Sequence, residues 1–136
     1  MRRILTLSAL ILVLSIHFSS CKTVPKERMG IMKIAGICRG EKIYFKKFGR
    51  YATFDELLAN DLADSDFTRG WGYTSEVKLT ERGYLASVTP NDFSSASMFY
   101  VNESGIIKAH RGDNRIHPND PDCTFPNGAK CICFDE

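Results

Sequence analysis

At 136 residues, with 43% hydrophobic and 25% charged side chains, the chain has the length of one globular domain and is too apolar for wholesale disorder. Its formal charge of +2 vanishes once residues 1–20 are set aside, because removing Arg2 and Arg3 from 18 basic residues leaves 16 against 16 acidic ones. A neutral domain has no electrostatic footprint for nucleic acid, and that class of partner is excluded.

The N-terminus opens with Arg2-Arg3, the apolar run Ile4–Ile16 and then "HFSSC" (His17–Cys21). A short charged region, an apolar run and small residues have the layout of an export signal. The run is shorter than the ~20 residues a helix needs to cross a bilayer. Ser19 and Ser20 before Cys21 resemble a lipobox, the motif at which the thiol of a bacterial lipoprotein is diacylated after cleavage. Phe18 departs from it, since an aliphatic residue usually stands there. Residues 1–20 are therefore read as a lipoprotein signal peptide and Cys21 as the lipidation site, against the alternatives of a plain secretory signal or an uncleaved anchor. The expected location is the cell envelope, anchored to a membrane. Lys22 is not the Asp that retains many lipoproteins at an inner membrane, so an outer membrane is expected where the source has two.

From Lys26 to Phe48, Ile31, Ile34, Cys38, Phe45 and Phe48 recur at helical spacing and predict an amphipathic helix ending at Gly49. Gly30, Gly36 and Gly40 each weaken it by about 1 kcal/mol against Ala, so it relies on packing. Cys38, on the stripe with Ile34 and Phe45, is expected to point towards a sheet. Glu41 interrupts the stripe and is read as a boundary residue with its carboxylate in solvent. The alternative, a buried acid, requires a backbone or cation partner. Thr53 and Glu56 stand at capping-box spacing and open a short second helix within Thr53–Asp64, followed by a loop over Ser65–Gly72.

The period then changes to two. Tyr73, Ser75, Val77 and Leu79 alternate with polar residues as a first strand; after a turn at Glu81–Gly83, Tyr84, Ala86 and Val88 mark one face of a second strand over Tyr84–Thr89. A loop at Pro90–Ala96 precedes strands at Met98–Val101 and Ile106–Ala109, joined by Asn-Glu-Ser-Gly. Gly105 suits the positive φ of a hairpin turn, and Glu103 and Ser104 at the tip have no base beside them, so this turn is read as structural.

Residues 111–136 hold Pro118, Pro121, Pro126 and three cysteines with almost no periodicity, and read as a stapled irregular tail rather than a second domain. The expected organisation is a signal at 1–20, an α+β domain at 21–110 and the tail at 111–136. The fold class is α+β: a long N-terminal amphipathic helix packed on a four-stranded antiparallel meander, with a disulfide-stapled C-terminal tail. Beyond Cys21, the remaining cysteines are Cys38, Cys123, Cys131 and Cys133, an even set in an exported protein, and disulfides are the default. A Cys131–Cys133 bond would close a strained ring across one residue. Cys38 is thus expected to bond to Cys131 or Cys133, with Cys123 taking the other.

Particular stretches resemble a known family. "EKIYFKKFGRYATFDELLANDLAD" (Glu41–Asp64) is similar to the helix end and following segment of type IV pilin-like and pseudopilin domains. "GYLASVTP" (Gly83–Pro90) and "MFYVNESGIIKAHRG" (Met98–Gly112) resemble the strand pair of those sequences. The resemblance implies a pilin-like globular domain and a structural or protein-binding role in an envelope assembly. The apolar run before Cys21 is short and lacks the Glu of a pilin's assembly helix, so a lipid would replace that helix as the attachment.

For chemistry, Cys123, Cys131 and Cys133 with His110 and His117 offer zinc donors, but C-x7-C-x-C is not knuckle spacing, and disulfides are preferred. Asp113, Asn114, Asn119, Asp120 and Asp122 form an oxygen-rich loop without EF-hand spacing. It reads as solvated polarity, with Asp113, Asp120 and Asp122 the calcium candidates, as the calcium-binding C-terminal regions of some pseudopilins imply. Arg111-Gly112-Asp113 spells an integrin tripeptide that chance often produces. No Ser/His/Asp grouping, phosphate loop or carboxylate pair stands out, and a non-enzymatic envelope lipoprotein is expected. The alternative is a small exported thiol- or metal-dependent enzyme using the C-terminal Cys/His/Asp region.

Overall fold

The computed structural model describes residues 26–64, 72–92, 96–113, 115–125 and 127–133. The signal and Cys21, with most of the expected Ser65–Gly72 loop, lie outside the described residues. The chain is α+β, with a four-stranded antiparallel sheet, helices before it and disulfides at the C-terminus.

Helix α1 spans Lys26–Phe48, with Glu27 in its first turn and Lys46 and Lys47 in its last, where each opposes the helix dipole. Gly49 closes it at φ 72°, its N–H bonded to the Phe45 carbonyl at 2.8 Å. The buried stripe is Ile34, Ile37, Cys38, Glu41 and Tyr44. Phe45 and Phe48, expected inside, are 44% and 47% exposed. They keep the period of the stripe but stand in the last turn of the helix, and Phe45 packs on Tyr51 instead, 4.7 Å between ring centres.

Gly30 and Gly40 of α1 have a use besides their cost to the helix. A Cβ on Gly30 would lie 2.7 Å from the Tyr73 ring, and one on Gly40 would lie 2.6 Å from the Leu62 carbonyl oxygen. Their bare backbones let α1 approach neighbouring segments closely.

Helix α2 is Phe54–Ala59, shorter than the expected Thr53–Asp64. The capping box forms: Thr53 accepts from the Glu56 N–H, and the Glu56 carboxylate accepts from the Thr53 N–H at 2.8 Å. The far end is a Schellman closure. Asp61 takes φ 56°, its N–H bonds to the Leu58 carbonyl, and the Leu62 N–H reaches the Leu57 carbonyl at 2.9 Å. Sequence reasoning overran this stop because an Asp occupies the left-handed position where Gly is usual.

The sheet runs β1 (Tyr73–Leu79), β2 (Tyr84–Pro90), β3 (Met98–Asn102) and β4 (Lys108–His110) in chain order, each pair antiparallel. Val77 faces Ala86, Ala86 faces Val101 and Phe99 faces Ala109, so these residues share one side of the sheet. With Tyr73, Tyr84 and Val88 they join Ile34, Ile37 and Cys38 of α1 in one apolar cluster. Each large side chain buried there stabilises the fold by about 1.5–3 kcal/mol relative to exposure.

The expected turn forms, with Gly105 at φ 74° and its N–H bonded to the Asn102 carbonyl at 3.0 Å. The fourth strand was expected at Ile106–Ala109, but Ile106 bridges to Ile132 and ladder pairing with β3 starts at Lys108. The tail extends the sheet beyond β4: the Cys123 N–H bonds to the Ile107 carbonyl and the Ala109 N–H to the Pro121 carbonyl. Cys123–Cys131 and Cys38–Cys133 are the two disulfides, one of the two pairings the sequence left open. Cys38 points as expected, its sulfur accepting a 3.2 Å hydrogen bond from the Tyr84 hydroxyl.

β3 is buried at Met98, Phe99, Tyr100 and Val101, hence on both sides. Phe99 and Val101 belong to the apolar cluster shared with α1, and the Tyr100 hydroxyl donates to the His117 carbonyl and to Asp120 in the tail. Among the described residues no helix is long and apolar enough to cross a membrane.

Candidate functional site

The tail side of the sheet carries the densest group of titratable side chains. β4 ends at His110, opposite Met98 of β3, and so projects it to the same side as Tyr100 and Lys108. The chain turns at Gly112, φ 119°, and a second turn bonds the Asp120 N–H to the His117 carbonyl at 3.1 Å. These bends bring His110, Asp113, His117 and Asp120 together.

His110 Nε2 lies 3.0 Å from Asp113 Oδ1, and His117 Nε2 lies 3.4 Å from the same oxygen. The two imidazoles stack with centres 4.4 Å apart and planes at 24°. On its other side, His110 Nδ1 meets Asp120 Oδ1 at 2.7 Å. Asp120 is buried, and its Oδ2 accepts from the Tyr100 hydroxyl and from the His117 N–H, each at 2.9 Å.

The hydrogen bond to Asp120, with the nearby Asp120 and Asp113 charges, raises the pKa of His110 above its ordinary value. Burial alone would raise Asp120, but donation from the His117 N–H, His110 and Tyr100 outweighs it and holds the carboxyl below the usual range. Asp113 is lowered first by the Arg115 N–H, which donates to its Oδ1 at 2.9 Å. One ligand atom from each of His110, Asp113 and His117 lies within 4.8 Å of the others.

The other sequence candidates have different surroundings. Asp122 pairs with Lys108 at 2.9 Å and with Lys130 at 3.3 Å. The calcium trio is therefore split: Asp113 and Asp120 contact His110, while two ammonium groups take the Asp122 carboxylate. Cys123, Cys131 and Cys133 are all consumed in disulfides, as preferred over the zinc alternative that joined them to His110 and His117. Within Arg111-Gly112-Asp113, Arg111 is bound by Glu27 at the start of α1 and Asp113 by the histidines, so the tripeptide anchors the tail.

The boundary reading of Glu41 is corrected. The residue is 0% exposed, and its Oε2 accepts from the Ala52 N–H at 2.9 Å while Oε1 has no hydrogen-bond partner among the described residues. Burial is the main reason that its pKa is pushed up to about 7. The acid ties the middle of α1 to the segment entering α2. The hollow lined by Ile37, Leu58, Asp61, Leu62 and Asp64 brings no nucleophile together with a base.

Sequence reasoning weighed the histidines only with the cysteines and the aspartates only with one another, and set both groupings aside for disulfides and solvated polarity. The signal for the observed group was the spacing H-x2-D-x3-H-x2-D over His110–Asp120. Compared with family models, with curated proteins and with solved structures, the chain gives no match.

Proposed function

We propose that this protein is a non-enzymatic cell-envelope lipoprotein whose pilin-like α+β domain serves as a structural or protein-binding component of an envelope assembly. The observation that carries the reading is that Cys38, Cys123, Cys131 and Cys133 are all spent in two disulfides. Paired cysteines of this kind belong to oxidising compartments and agree with the signal-like Arg2–Ser20 and the lipobox-like Ser19-Ser20-Cys21. They also count against the rival thiol-dependent enzyme, since a sulfur held in a structural disulfide is no nucleophile. A 23-residue helix before a four-stranded antiparallel meander is consistent with a pilin-like domain. In this reading the lipid on Cys21 holds the domain at the membrane, and the apolar cluster between α1 and the sheet makes it a rigid body for presenting a surface to a protein partner.

The test is intact mass and detergent partitioning of the exported protein. A mature chain starting at Cys21, heavier by its acyl groups and recovered in the detergent phase, is the expected result. Cys21→Ser should leave it unprocessed or release it to the aqueous phase. An unmodified chain beginning at another residue would overturn the lipoprotein reading.

A further inference from the structure

We propose that His110, Asp113 and His117 form a mononuclear site for a zinc-class divalent transition metal, with Asp120 orienting His110 from behind. The inference goes beyond the envelope role and does not depend on it.

Spacing is the first observation. One ligand atom from each of His110, Asp113 and His117 lies within 4.8 Å of the other two. The separations of 3.0 and 3.4 Å from the Asp113 oxygen to the two Nε2 atoms bracket the edge of a tetrahedron, about 3.3 Å when metal–ligand bonds are near 2.05 Å. The two rings are stacked, so shared coordination requires His117, 46% exposed, to turn out of the stack.

The second observation is independent of the three ligands. A metal-binding imidazole usually gives its other ring N–H to a carboxylate, which fixes the tautomer and the ring plane. His110 has that partner: Asp120 Oδ1 lies 2.7 Å from Nδ1, which leaves Nε2 as the lone-pair donor towards Asp113 and His117. Asp120 is itself buried and doubly held by the Tyr100 hydroxyl and the His117 N–H. The same carboxylate thus orients the first ligand and braces the backbone of the third.

Two imidazoles and one carboxylate suit zinc and neighbouring first-row ions rather than calcium, which takes six to eight oxygens. The side chains of Asp113 and His117 are 51% and 46% exposed, so a metal held there would keep a position open to water or to a ligand from another molecule.

The experiment uses the full-length protein, oxidised, solubilised in detergent and stripped with a chelator. It is titrated with zinc chloride in a calorimeter, and cobalt chloride supplies a visible spectrum that reports coordination. One zinc per chain and tetrahedral cobalt bands are expected. His117→Ala and Asp113→Asn should each weaken zinc by about 100-fold and abolish those bands, and Asp120→Asn should weaken it by about 10–100-fold. A near-ultraviolet circular dichroism spectrum and a cooperative unfolding transition matching the wild type show that a variant is folded. Should Asp120→Asn fail that check, His117→Gln, at the exposed rim, carries the test. Zinc binding that survives both ligand substitutions, cobalt bands unchanged by them, or calcium displacing zinc at equal concentration would overturn the proposal. So would the absence of stoichiometric zinc, which would mark a hydrogen-bonded cluster only.

Discussion

Glu41→Gln replaces a buried carboxyl by a neutral group of the same shape. The Ala52 N–H keeps an acceptor, and the atom in the place of Oε1 is without a partner among the described residues in either case. The substitution thus isolates the charge. Burial raises the native pKa of Glu41 from 4.5 to about 7. Between those values the native state binds more protons than the unfolded state, so stability falls as pH rises through the window. Below about pH 4.5 the acid is neutral in both states and stability is intact; above about pH 7 it is ionised in both and the loss is complete. At 1.36 kcal/mol per unit, the gap corresponds to about 3 kcal/mol by pH 8.

Other carboxyls titrate in the same range, but they are common to both proteins and largely cancel in the difference. The assay is denaturant unfolding of wild type and variant in parallel from pH 4 to pH 8. The midpoints should nearly coincide at pH 4, and the variant should become progressively more stable, by about 3 kcal/mol at pH 8. A difference that does not change with pH would refute the reasoning. A variant that loses ground as pH rises would do so more sharply, by showing that the ionised carboxylate is stabilised.

Two further outcomes are expected. Cys38→Ala opens a bond between residues 95 apart in sequence, for which the chain-entropy estimate is about 4–5 kcal/mol, and should lower the melting temperature by on the order of 15 °C while exposing Cys133 to thiol reagents. A shift of only a degree or two would show that the tail contacts hold without the staple. Gly40→Ala would gain about 1 kcal/mol in an isolated helix, but here its Cβ would meet the Leu62 carbonyl oxygen at 2.6 Å, so a net loss of about 1–3 kcal/mol is expected, and a raised denaturation midpoint would refute it.

Elements governed by local pattern were legible in the sequence. Lys26–Phe48, the capping box at Thr53 and Glu56, the alternation of β2 and the positive φ at Gly49 and Gly105 all follow from residues close in sequence. What was misread depends on distant partners. Phe45 and Phe48 fit the helical period as well as Ile37 and Tyr44 do, and only the position of the sheet decides which are covered. Glu41 looked like a boundary residue because its partner, the Ala52 N–H, is brought back by the turn after Gly49. β3 could not reveal its second buried side, because the segment that covers it lacks periodicity. The His110 cluster was hidden for the same reason: its four members come from a strand end and two turns whose bends rest on single residues such as Gly112.

Glu41 and Asp120 show how one kind of side chain is given opposite roles by counting donors. Both carboxyls are largely withdrawn from water, at 0% and 7% exposure. Glu41 receives one backbone N–H, too little to offset desolvation, and its pKa rises. Asp120 has the Tyr100 hydroxyl, the His117 N–H and the His110 ring beside it, and its pKa falls although burial opposes the change. The first is readily kept neutral, which suits a tether between two apolar segments. The second stays ionised while buried, and a fixed negative charge behind an imidazole is what sets that ring's tautomer and strengthens its outward nitrogen as a donor. The sheet makes this possible through Tyr100, whose neighbours Phe99 and Val101 are locked into the α1 side of the core while its own hydroxyl reaches the tail. The hydrogen bond that holds Asp120 behind His110 is thereby carried by a strand whose alternate residues are fixed in the apolar core on the opposite side of the sheet.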